Sequence, residues 1–383
     1  MRTIRGMVYT GRMCFEPGEI DIEGERIEKV ERLGIGNLTE REAQTYLLPG
    51  LVDIHFHGCA GYDFCDGTAE AVRAIASYEM AHGTTTICPA TMTLPEEQLL
   101  KICAAGVTAA ETEVLAEGIP LKDVMRGIYL EGPFISMEKK GAQNADYIRR
   151  PDFAMLERLQ KAAQGMIRMV AVAPEEDGAM ELIRKGAEAF RFSVAHTCAD
   201  YETAKAAMEE GAHHVTHLYN AMPPFTHRNP GVIGAAAENE KVRAELICDG
   251  IHIHPCVVKS TFKLFGAERM VLISDSMMAT GMADGEYELG GQPVTVRGNL
   301  ALLRNGTIAG SATNLYDCMR TAIRMGVPLE EAVCAATFNP ARAVGLEEEC
   351  GLLSPGRRAD ILLADKDLAL LEVIKSGRTV KAG

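Results

Sequence analysis

Two histidines separated by one residue, His55 and His57, end the apolar run LLPGLVDIHFHG. In an extended strand residues i and i+2 share a face, so both imidazoles can turn toward one ion. Glu131 ends a second run of this kind, VMRGIYLEGPFI, just before a Gly-Pro turn. A carboxylate there is poorly solvated unless it meets a cation or an arginine. His196 in SVAHT and His217 in VTHLYN add nitrogen donors from two further runs. Glu131, His196 and His217 together describe three ligands with an open position, the pattern of a catalytic divalent site rather than a closed structural one. A mixed His/Glu set suits zinc or iron better than calcium or magnesium. His55 and His57 are the optional second half of such a site and decide between one ion and two.

Asp275, in LISDSMM, ends another apolar run. A carboxylate beside an activated water can take the water's proton and pass it to a leaving group. Taken alone, the same residue could equally cap a following helix. His252 and His254 stand together in DGIHIHP. His213 and His214 precede a run rather than end one and are expected to be structural or surface residues, and His82 to cap a helix. Cys59 and Cys65 lack the close pairing of metal-site cysteines and are set aside.

These residues need a frame that gathers them. Apolar segments of strand length alternate with helical stretches from Leu47 onward: LLPGLVDIHFHG, TTTICPATMT, VMRGIYLEGPFI, MIRMVAVAPE, AFRFSVAHT, AHHVTHLYN, RAELICDGIH and ERMVLISDSM. A helix is expected over about 68–82, with Val72, Ile75, Ala76 and Met80 on one face and Gly83 as its stop. Another is expected from Glu202 to Gly211. Eight β/α units fit a closed (β/α)8 TIM barrel, whose strand C-termini converge on one mouth. The polar residues singled out above fall at that mouth. A doubly wound open sheet usually carries a Gly-rich turn after its first strand, and GLVDIHFHGCAG has none.

The chain ends read differently. EIDIEGERIEKVERL alternates apolar and polar residues, with Gly24 at a turn, and the C-terminal GLLSPGRRADILLADKDLALLEVIKSGRTVKAG has the same texture. Residues 1–48 and 347–383 are therefore expected to form one small β domain beside a catalytic barrel spanning 49–346. After the eighth strand, YELGGQPVTVRGNLALLRNGTIAG looks like a β excursion over the barrel mouth.

The formal net charge is −14. That argues against a nucleic-acid partner, which asks for a basic face. No stretch offers the ~18 uninterrupted apolar residues of a membrane span. The eleven cysteines, an odd number without a close pair, read as reduced thiols. A soluble cytoplasmic protein is expected.

The motifs also resemble a known family. PGLVDIHFHG (49–58), EGPFIS (131–136), KKGAQN (139–144), AHT (195–197), THLYNAM (216–222), RNPGVIG (228–234), DGIHIHP (249–255), ISDSM (273–277), NGTIAGS (305–311) and NPARAVGL (339–346) are similar to those of the N-acetylglucosamine-6-phosphate deacetylases of the amidohydrolase superfamily. The resemblance implies a (β/α)8 barrel with a small β domain from both chain ends, acting on the acetamide of a phosphorylated amino sugar. It implies Glu131, His196 and His217 as metal ligands, His55 and His57 as the pair that holds a second ion, and Asp275 as the catalytic acid–base. It further implies substrate contacts at Ala142, Gln143, Asn220, Ala221, Arg228, His252, Ile308, Ala309 and Gly310. One or two divalent ions per subunit, zinc with iron as the alternative, and a homodimer with the substrate phosphate near its interface also follow from it. Gln143 departs from the histidine of several relatives; it can still donate a hydrogen bond to the acetyl group but cannot titrate. The segment AGSATNL differs too, and no lysine ends strand four to serve as a carboxylated bridging ligand. Deacetylation of N-acetylgalactosamine 6-phosphate is the neighbouring alternative.

Overall fold

A computed structural model describes residues 1–380; the last three residues of the expected 347–383 segment lie outside it. Eight parallel strands form the barrel wall: Leu51–Asp53, Thr84–Ile87 (continuing as Ala90–Thr91), Ile128–Leu130, Ile167–Val172, Arg191–Val194, His214–Val215, Arg243–Ile247 and Met270–Ile273. Each pairs in parallel with the next along the chain. Pro89 has no N–H to give, and the second strand is interrupted there. The ring closes where Asp275 N donates to His55 O at 3.0 Å and His57 N donates to Ser276 O at 2.7 Å. The residues that seal the barrel are thus those that carry its polar mouth.

The helices follow from the apolar spacing. The helix Ala69–Ala81 begins at Thr68, whose hydroxyl accepts from Ala71 N, and ends at His82 before Gly83 at φ +92°. Its inward face buries Val72, Ile75, Ala76 and Met80, as the periodicity predicts. The helix expected at 202–211 spans Tyr201–Glu209. The excursion after the eighth strand is a three-stranded antiparallel sheet, Gly285–Leu289, Gln292–Arg297 and Leu300–Leu303.

The chain ends form a seven-stranded sheet in the order Arg378–Val380, Leu370–Lys375, Ile361–Ala364, Tyr46–Pro49, Arg2–Thr10, Cys14–Glu23, Arg26–Arg32. Tyr46–Pro49 holds the middle, antiparallel to Ile361–Ala364 and parallel to Arg2–Thr10. The sheet also buries an ion pair, Lys375 Nζ to Asp360 Oδ2 at 2.7 Å. Where the N-terminal stretch was read only as strands, a short capped helix, Glu40–Ala43, intervenes. All eleven cysteines are free, and among the described residues no helix is long and apolar enough to cross a membrane.

Candidate metal centre

Glu131 lies one residue past the third barrel strand and offers both carboxylate oxygens to four imidazoles. Oε1 is 3.1 Å from Nε2 of His196, 3.1 Å from Nε2 of His217 and 3.3 Å from Nε2 of His55. Oε2 is 3.3 Å from Nε2 of His57. Two ligand triads result, His55–His57–Glu131 and Glu131–His196–His217, each with its ligand atoms within 4.8 Å of one another. All five residues are buried. Asp275 completes the cluster, with Oδ1 3.3 Å from His57 Nε2 and 4.0 Å from His55 Nε2.

The donor set fits a divalent cation. His196 Nδ1 donates to Lys139 O and His55 Nδ1 donates to Glu245 Oε2, both at 2.9 Å. Those bonds leave the Nε2 lone pairs facing the centre, as metal-binding histidines require. The buried Nε2 of His55 has no hydrogen-bond partner, and Nε2 of His196 and His217 face each other at 3.2 Å. A proton can satisfy one such nitrogen, but a cation satisfies them together. The electrostatics carry the same message. Burial works against charge on His57, yet hydrogen bonds to Asp275 and Glu131 push it up to about 10. Burial would raise Glu131, but the charge of His55 and hydrogen bonds from His196 and His217 hold it well below the usual carboxylate range. The pocket is built for positive charge at its centre.

The backbone is bent to place these groups. His196 (φ +44°), His217 (φ +28°) and Asp275 (φ +48°) all adopt left-handed conformations that side chains disfavour, at a cost of roughly 1–3 kcal/mol each. Asp275 is held by both ends of its peptide: its N–H goes to His55, and its carbonyl accepts from Ser311 N at 2.7 Å. Gly310 makes that approach feasible, because a Cβ there would stand 3.0 Å from Asp275 O. Asp275 caps no helix.

Three supporting residues escaped the sequence reading. Glu245 sits within the apolar run RAELI, and its Oε1 accepts from His214 Nε2 at 2.9 Å while Oε2 accepts from His55 and, at 3.1 Å, from His217 N. Burial would raise Glu245, but His55 and His214 keep it well below the normal carboxylate range. His214, expected to be merely structural, is thereby tied to the centre. Tyr129 stacks on His55 with centroids 4.5 Å apart, and its hydroxyl bonds Thr216 Oγ1 at 2.7 Å. The signal available was a lone acid in a buried strand, which has to find a partner.

A cavity of about 260 Å³ opens over the centre. Ala142, Gln143, Asn220, Ala221, His252, Ile308 and Gly310 line it together with His57, Glu131, His196, His217 and Asp275. His55 lies beneath this surface, and Ala309 is fully buried behind the turn. Gln143 does more than border the cavity: its Nε2 donates to Glu131 Oε2 at 2.5 Å and its Oε1 accepts from Thr93 N at 2.7 Å. It holds Glu131 rather than standing free for an acetyl group. His252 Nδ1 donates to Asp249 Oδ2 at 2.7 Å. Burial would lower His252, but that carboxylate raises it and favours the imidazolium.

Two residues stand away from this cavity. Arg228 is exposed and does not line the cavity of its own chain, because the loop after strand six carries it outward. His254 is exposed and caps the helix Pro255–Phe265, accepting from Cys256 N at 3.2 Å. His82 caps its helix, bonding Tyr78 O, and Cys59 and Cys65 bond backbone groups.

Comparison with known proteins agrees with this geometry. A model of the amidohydrolase family matches residues 46–382. N-acetylglucosamine-6-phosphate deacetylase of Bacillus subtilis is 39% identical over 337 residues, 88% of this chain and 84% of that protein. N-acetylgalactosamine-6-phosphate deacetylase of Escherichia coli O157:H7 is 34% identical over 344 residues, 89% of either chain. Among solved structures, a mutant N-acetyl-D-glucosamine-6-phosphate deacetylase from Mycobacterium smegmatis in complex with N-acetyl-D-glucosamine-6-phosphate superposes with a TM-score of 0.91, at 34% identity and 98% coverage of both chains.

Replacing Glu245 with Gln removes the charge that supports His55 and keeps the shape. Metal affinity should fall about 10–100-fold, read as metal retained after dialysis against a graded chelator. Wild-type retention in that variant would remove Glu245 from the support of the centre.

Proposed function

The chain belongs to the amidohydrolase family, and we infer that it hydrolyses the acetamide of N-acetyl-D-glucosamine 6-phosphate to D-glucosamine 6-phosphate and acetate. The observation that carries this reading is the paired ligand set on Glu131 with Asp275 beside it, at the floor of a cavity that also presents His252. The relatives named for this activity span most of the chain. The galactosamine epimer is the weaker reading, since its relative is 34% identical against 39%.

An amide is a poor electrophile and water a poor nucleophile at neutral pH. A divalent ion at this site supplies Lewis acidity, polarising the acetyl carbonyl and lowering the pKa of a water from about 15.7 to roughly 7. Glu131, His196 and His217 would hold one ion, and His55 and His57 with Glu131 would provide for a second. Zinc fits the donor set, with iron as the alternative.

Asp275 performs the proton transfers. Burial would raise its carboxyl, but a hydrogen bond with His57 and the charge of His55 lower it, so it is ionised and ready to accept. Its Oδ1 takes the proton of the attacking water and then delivers it to the departing amine nitrogen. His252, hydrogen-bonded to Asp249, faces the substrate phosphate. Asn220, Ala221 and the Ile308–Gly310 turn border the sugar, and binding of these remote parts positions the acetamide.

Arg228 is assigned to the phosphate site of a second copy. It lies on the loop that also carries Phe225, which is half exposed in an apolar patch with Leu264, Met222 and Val257. A homodimer closing over that patch brings the arginine to the partner's cavity. Free cysteines throughout fit a reducing compartment, the cytoplasm.

The direct test is acetate release by the metal-loaded protein from the two N-acetylated sugar phosphates assayed side by side. The glucosamine substrate should give the higher kcat/KM; no release from either would end the proposal. Asp275→Asn should retain metal yet lose turnover by about a hundredfold or more, and near-normal turnover would withdraw the acid–base role. Arg228→Ala should chiefly raise KM for the phosphorylated substrate. If the preference for phosphorylated over plain N-acetylglucosamine stays unchanged, Arg228 has no part in phosphate binding.

A further inference from the structure

At the end of the barrel opposite the metal centre, three arginines meet. Arg191 opens the fifth strand, Arg243 opens the seventh, and Arg342 stands in the helix Phe338–Ala343. With His213, which precedes the sixth strand, they line a cleft of about 160 Å³. Among the described residues none of the three guanidinium groups hydrogen-bonds the protein or ion-pairs with a carboxylate. Nε of Arg243 is buried with no partner at all. Gly345, at φ +71°, keeps the space clear: a Cβ there would overlap Nη2 of Arg191 at 2.2 Å.

Like charges held this close, in a chain of formal net charge −14, are unfavourable unless something answers them. Burial lowers Arg243 from the usual arginine range, and Arg342 and Arg191 press the same way. Burial and Arg168 do likewise to Arg191, while Glu347 opposes the shift at both, outweighing Arg191 at Arg243. His213 is lowered by burial and then by Lys241 and Arg243. Arg158 and Arg184, by contrast, are paired with Glu96 and Glu210. Planar guanidinium forks offered together match the oxygens of a phosphate. The cleft, at about 160 Å³, has room for such a group.

We propose that this cleft is a second anion site, separate from the metal centre, that binds a phosphate group as inorganic phosphate or as the monoester of a small metabolite. Arg191 and Arg342 clasp the anion from the exposed side, and the buried Nε of Arg243 meets it from within. The site shares no residue with the cavity over Glu131, although His214 in its lining reaches the centre through Glu245.

The test is calorimetric titration of the metal-loaded full-length protein with inorganic phosphate, and in parallel with glycerol 3-phosphate, at ionic strength fixed with chloride. Phosphate binding should persist in His252→Ala, which impairs the substrate cavity. It should weaken about tenfold or more in the double variant Arg191→Ala/Arg342→Ala, the scale expected for losing hydrogen bonds to a charged group. Both replaced residues are exposed, and turnover of the sugar phosphate by the double variant should match wild type at low phosphate. Thermal melts in the His252→Ala background give a second reading: phosphate should raise the melting temperature of that variant but not of His252→Ala/Arg191→Ala/Arg342→Ala. Tighter binding of the ester than of phosphate would assign the ester, and equal binding the free anion. Equal phosphate affinity in wild type and the double variant, or binding that vanishes with His252→Ala alone, would overturn the proposal.

Discussion

One carboxylate shared by four imidazoles governs the upper half of this barrel. A buried ion stripped of water is tolerable only when opposite charge and hydrogen bonds replace the solvent. Glu131 achieves this from both oxygens, three Nε2 atoms around Oε1 and one beside Oε2. The arrangement needs donors from the first, third, fifth and sixth strands at one height, so it needs a closed ring of parallel strands. It also couples the two triads, because any ion held by one pulls on the carboxylate that serves the other.

Keeping four rings in place takes a polar layer below them. Glu245 ties His55 to His214, and Tyr129, Thr216 and Ser193 bond one another in the same interior. Gln143 braces Glu131 from the side against Thr93 N. Rigidity has a local cost in the left-handed backbones of His196, His217 and Asp275. The barrel's apolar wall carries that cost, since nearly every strand residue on it is fully buried.

The barrel was readable because buried parallel strands are continuous apolar runs, and the residues that end such runs point into the mouth. That logic located Glu131, His196, His217, the His55/His57 pair and Asp275 in one cluster. It is silent where spacing says nothing about direction. Arg228 and His254 stand on loops beyond strand ends, and only the course of the loop shows that one turns outward and the other caps a helix. Glu245 was missed for the opposite reason: one acid among apolar neighbours looks like a strand's solvent face until the ring closes around it. Gln143 was legible as a residue near the site, but its grip on Glu131 depends on a loop fold that no periodicity encodes.

The small sheet imposes an order of events on the growing chain. Leu48 pairs with Leu362, so Tyr46–Pro49 waits for a strand made only after the whole barrel. Until residues 361–375 emerge from the ribosome, Tyr46–Pro49 presents an open edge next to the first barrel strand, Leu51–Asp53. Pairings this distant in sequence are slow, because the loop must close before any contact rewards it. The barrel must therefore hold together without its β companion until those strands are made, and their loss by proteolysis would expose that edge to other chains.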